Sequence, residues 1–73
     1  EPFTVEMDGG IYVVDGPWIR GLLRGINFED RESLQYFQRA LRQKGVISAL
    51  EEKGIREGDT VRVGEDTEFE YIP

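Results

Sequence analysis

Gly58-Asp59-Thr60-Val61-Arg62-Val63-Gly64, followed by Phe69-Glu70-Tyr71, reads as a turn, a short strand, a second turn and an aromatic closing strand. The strands are expected over Thr60–Val63, with Val61 and Val63 inward, and Thr67–Ile72, with Phe69 and Tyr71 on one face. Asp59 reads as a turn residue whose carboxylate bonds backbone N–H groups two residues on. Upstream, two helix candidates stop in the same way, at Lys44-Gly45-Val46 and Lys53-Gly54-Ile55. Each has a glycine free to turn left-handed and an apolar residue able to fold back as a Schellman-type contact.

At the other end, Phe3, Val5 and Met7 alternate with Thr4 and Glu6, the period-2 pattern of a strand with one buried face. Asp8-Gly9-Gly10 supplies positive φ, so Ile11-Tyr12-Val13-Val14 should return as a hairpin partner. Asp15-Gly16-Pro17 ends that strand, and Pro17 suits a first helical turn. Trp18, Ile19, Leu22 and Leu23 then form a short apolar stripe before Gly25, with Arg20 and Arg24 on the outer face. The main helix has Asp30 or Asn27 as N-cap and Leu34, Phe37 and Leu41 inward, with Tyr36 and Ala40 widening the stripe. A shorter helix follows, with Val46, Ile47 and Leu50 inward. The order β-β-α-α-α-β-β predicts an α+β fold, a sheet of about four strands with three short helices packed on it. Trp18, Phe37, Leu41, Val61 and Phe69 are the expected core.

The 73 residues amount to one domain, 1–73, with a single core. With 38% hydrophobic and 33% charged residues, and no apolar run near the length of a membrane span, the chain should be soluble. It opens Glu1-Pro2-Phe3, which suggests a segment excised from a longer protein. The absence of cysteine fits a reducing compartment.

The net charge of −6 is unevenly spread. Residues 1–15 carry −4 and residues 57–73 carry −5, whereas residues 16–56 hold eight basic groups against five acidic ones. Overall acidity argues against nonspecific duplex binding, and no DNA or membrane partner is expected, but a local basic face can still meet phosphates. Arg31, Gln35, Arg39 and Arg42 share an outer helical stripe that Arg20 and Arg24 extend. These five arginines are the candidate RNA or partner contacts, and an ordinary solvated face offsetting Glu29 and Glu32 is the competing reading.

No catalytic, cofactor-binding or metal-ligating residue is assigned. The chain has no histidine to activate Ser33, Ser48 or a tyrosine. Adjacent carboxylates at Glu51-Glu52 point apart on a helix, and those at Glu65-Asp66 sit in a solvated turn, which suits neither metal binding nor acid–base work. Trp18 reads as core in preference to a base-stacking platform. No phosphate-loop run is present, and neither Lys44 nor Lys53 is followed by Ser or Thr.

The hairpin closed by glycine, Phe37-Gln38 with Leu41 after it, the Gly45-Val46 stop, Leu50 before a second glycine, Gly58-Asp59-Thr60-Val61 and Phe69-Glu70-Tyr71 together resemble the C-terminal domain of Obg-family GTPases over essentially the whole chain. Pro17 departs from that pattern, where a Lys or another polar residue is expected. The resemblance implies a regulatory appendage of a cytoplasmic GTPase whose GTP and Mg²⁺ are held by an upstream domain. It further implies a part in large ribosomal subunit assembly and in stress and alarmone signalling. The implied partners are the large ribosomal subunit, as protein or rRNA, the rest of the parent GTPase, and signalling proteins.

Overall fold

The computed structural model describes residues 3–73. Its elements run β1 (Thr4–Asp8), β2 (Ile11–Asp15), α1 (Pro17–Leu23), α2 (Arg31–Gln43), α3 (Val46–Glu52), β3 (Thr60–Val63) and β4 (Thr67–Glu70). Four strands form one sheet in the order β1-β2-β3-β4, and three helices cover one face, a small α+β fold as expected. The N-terminal and C-terminal hairpins meet in the middle of this sheet, through β2 and β3. β1 and β2 pair antiparallel, β3 and β4 pair antiparallel, and β2 and β3 join in parallel with Tyr12 beside Val61 and Val14 beside Val63. A parallel pair requires a crossover, and the helical half of the chain provides it.

Local chemistry sets each turn. Gly9 and Gly10 have φ of 58° and 86°, so Asp8 and Ile11 pair directly across a two-residue hairpin loop. Asp15 accepts the Gly16 N–H at 2.8 Å as the chain enters α1, where Pro17 occupies the first turn. Both N-cap candidates of α2 are used. Asp30 is the cap and accepts the Glu32 N–H, while Asn27 accepts the Glu29 N–H and receives Ser33 Oγ as an acceptor for its own N–H. The Schellman stop is realised at Gly54: its N–H reaches Glu51 O at 3.0 Å, the Ile55 N–H reaches Leu50 O at 3.2 Å, and Ile55 is buried. Gly45 turns left-handed as well but serves directly as the N-cap of α3, which begins with the buried Val46. Asp59 is a turn residue, but its carboxylate reaches back to the Arg56 N–H at 2.9 Å instead of forward.

The core is one cluster in which Phe37, Leu41, Val61 and Phe69 are buried, as are Val14, Ile19, Val46, Ile47 and Leu50. Phe37 makes edge-to-face contacts with Phe28 at 5.4 Å and Phe69 at 5.9 Å between ring centroids, so an α2 residue is held between a loop and the sheet.

Four expectations need correction. Trp18 is half-buried at the margin, because Ile19 takes the inward position of the short α1. Tyr36 is 53% exposed, since on α2 it falls outside the stripe of Leu34, Phe37 and Leu41. Met7 is 51% exposed although it pairs with the buried Tyr12, because β1 is an edge strand that the helices cover incompletely. β4 ends at Glu70, before the expected Ile72. Tyr71 instead exchanges bonds with the Gly58-Asp59 turn, its N–H to Asp59 O at 2.8 Å and its carbonyl to Gly58 N–H at 2.9 Å, which leaves Ile72 exposed.

Truncating Phe37 to Ala removes a fully buried ring touching two others and is expected to cost about 3–5 kcal/mol. Urea unfolding followed by Trp18 fluorescence would read this, and an unchanged midpoint would place Phe37 outside the core.

Candidate partner-binding surface

The topology turns the uneven charge of the sequence into two faces. The acidic ends of the chain build the sheet, and the basic middle builds the helices. All five predicted arginines are exposed, and of these Arg20 is paired with a carboxylate.

Arg20 is committed to structure. Its guanidinium meets Asp15 through Nε at 2.9 Å and Nη2 at 2.7 Å, a two-pronged pair across the β2–α1 corner. That bond holds the Asp15 carboxyl below its ordinary value and raises Arg20. Arg24 follows as the C-cap of α1.

Arg31, Arg39 and Arg42 remain together along α2. With Arg24, they make no ion pair among the described residues. Arg31 lines a cavity of about 470 Å³ with Leu34, Gln35 and Gln38, walled on the other side by Ile72 and Pro73. Arg39 and Arg42 line an adjoining space of about 330 Å³ that shares Gln35, Gln38 and the same terminal residues. One shallow groove therefore runs between α2 and the chain's last residues. Gln38 fixes its wall by donating from Nε2 to Ile72 O at 2.9 Å. Sequence reading omitted Gln38 and Ile72 from this surface, because the packing of residues after β4 against α2 leaves no periodic signal. At the far end of α2, burial and the nearby Glu51 carboxylate raise the Tyr71 phenol, whereas the Arg42 charge opposes the shift. Its hydroxyl donates to Glu51 at 3.3 Å.

The other candidates fall to ordinary roles. Lys44 Nζ sits 5.9 Å over the Trp18 ring, so one face of the indole already carries a cation. Glu51 serves Tyr71, and Glu65-Asp66 lies exposed in the β3–β4 turn. No cluster of three acidic side chains suited to a metal ion occurs among the described residues, and no helix there is long and apolar enough to cross a membrane.

Fold and surface together define a small α+β module whose prominent chemistry is an arginine-lined groove. Residues 3–71 match the family described as Domain of unknown function (DUF1967). The chain is 56% identical over 72 residues to a GTPase Obg of Acetivibrio thermocellus, covering 99% of this chain and 17% of that protein. It is 58% identical over 71 residues to the GTPase Obg of Ruminiclostridium cellulolyticum, covering 97% and 16%. With the GTPase Obg of Clostridioides difficile the identity is 44% over 71 residues, again 97% and 16%. The chain belongs to this domain family, the C-terminal domain of Obg GTPases. It spans only about one-sixth of the length of the relatives it matches, 16–17%.

The Asp15–Arg20 pair yields a pH prediction. A carboxyl whose folded value lies below its unfolded value of about 3.9 stabilises the fold above that pH, and the benefit disappears as pH falls through the folded value. Asp15→Asn should therefore lower the thermal midpoint at pH 7 and lower it less at pH 3. An equal deficit at both would show that the pair's charge is irrelevant.

Proposed function

We propose that this chain is a noncatalytic, partner-binding domain, 1–73, of an Obg-type GTP-binding protein, and that the α2 groove is its contact surface. The observation that carries this reading is the unpaired arginine row Arg31, Arg39 and Arg42 on a domain whose other charged cluster is acidic. In the longer protein, GTP and Mg²⁺ belong to another domain. This appendage would adjust that protein's cytoplasmic work in large ribosomal subunit assembly and in stress signalling. That the relatives are GTPases of the Obg type supports the GTPase part.

Ribosomal RNA is the favoured partner of the groove. Guanidinium forks meet phosphate oxygens in pairs, and Gln35 between them offers a further donor. Arg20, already held by Asp15, adds charge without a free fork. Signalling proteins with acidic surfaces would compete for the same row.

Replacing Arg31, Arg39 and Arg42 with Glu in the full-length protein should weaken binding to isolated large subunits. The slope of log affinity against log salt should also flatten by about 2, as expected for three lost phosphate contacts. Identical binding curves would remove RNA as the partner. Deleting the domain should change GTP turnover, subunit binding or the response to signalling partners, and unchanged behaviour in all three would overturn the regulatory reading.

A further inference from the structure

The sheet face away from the helices is open. Because Tyr12, Val14, Val61 and Val63 point into the core, their neighbours Ile11, Val13 and Arg62 point outward. These outward residues occupy the parallel β2–β3 pair, an arrangement usually covered on both faces. Ile11 and Val13 are half-exposed there. The two edge strands flank them with carboxylates. Glu6 is in register with Val13, Asp8 with Ile11, Glu68 with Arg62, and Glu70 with Thr60. The face is thus a trough with an apolar floor and two acidic rails. The backbones of the two rail strands lie three strand spacings, about 14 Å, apart, and their carboxylates lean inward over the floor.

Arg62 already behaves as a small occupant. Its stem rises from the floor, Nε reaches Glu68 at 3.3 Å and Nη1 reaches Asp8 at 3.4 Å, so one guanidinium bridges both rails. The two carboxylates raise its basicity, Glu68 contributing most. Glu6 and Glu70 have no cation partner among the described residues.

We propose that this trough docks a basic amphipathic helix of a protein partner, on the face opposite the arginine groove. The helix's apolar stripe would seat on Ile11 and Val13, and its flanking Lys or Arg side chains would meet the rails. Charge complementarity over an apolar floor selects this occupant; nucleic acid is excluded by like charge. Arg62 is a self-supplied competitor that the incoming cations displace from Asp8 and Glu68.

The probe is a synthetic 18-residue leucine–lysine peptide patterned as an amphipathic helix, titrated into the isotope-labelled chain and followed by backbone amide shifts. Shifts should concentrate on β1, Ile11, Val13 and β4. Replacing Glu6, Glu68 and Glu70 with Gln should weaken binding about tenfold, as three exposed ion pairs would. Arg62→Met should tighten it. The control set Glu29, Glu32 and Glu52 to Gln, together with Arg24→Met, alters net charge equally and should leave affinity nearly unchanged. Shifts centred on the helices, or equal effects from rail and control substitutions, would overturn the proposal as unspecific attraction. All variants sit at exposed or half-exposed positions, and amide spectra verify their fold before titration.

Discussion

The architecture depends on Phe37. It is fully buried, and its ring stands edge-on to Phe28 and Phe69, which also lie near each other with centroids 6.4 Å apart. This aromatic contact fastens the longest helix to the closing hairpin of the sheet. In a chain this small, which buries only about 60% of its unfolded surface, such a contact carries an unusual share of the stability. It also has a functional consequence. Fixing Phe37 inward fixes the rotation of α2, and that rotation places Arg31, Arg39 and Arg42 beside Ile72 and Pro73. The groove is therefore an outcome of core packing.

The second constraint is topological. A chain whose two ends share a sheet while its middle forms the crossover sorts by layer whatever it sorts by sequence. Acidic ends become an acidic sheet, and a basic middle becomes a basic helical surface. Few ion pairs cross-link the result: those among the described residues are Arg20 with Asp15, and Arg62 with Asp8 and Glu68. Most charges thus remain available to partners, and the two faces favour partners of opposite sign.

Local signals made much of this legible. Gly9-Gly10 announced the hairpin, Asp30 the start of α2, and Gly54-Ile55 the end of α3, because each is a short-range requirement of backbone geometry. Residues whose placement depends on distant partners were misread. Trp18 and Tyr36 lie one position from an inward residue on their helices, where pattern alone separates flank from core poorly. Met7 followed the alternation, but a strand edge set its exposure. The parallel joining of β2 to β3 left no local mark, so the open trough went unseen, as did the groove wall made by Ile72. Arg20 was placed with the contact arginines on spacing. Its commitment to Asp15 follows from the β2–α1 corner, which only the three-dimensional arrangement reveals.

Central to this account is the proposal that α2, and not the sheet, meets ribosomal RNA. Photo-crosslinkers placed singly at Gln35 and at Glu68 in the full-length protein, bound to the large subunit, test the orientation directly. Crosslinks to RNA from position 35 and none from position 68 are the predicted result. RNA crosslinks from position 68 with none from position 35 would contradict the assignment of the two faces.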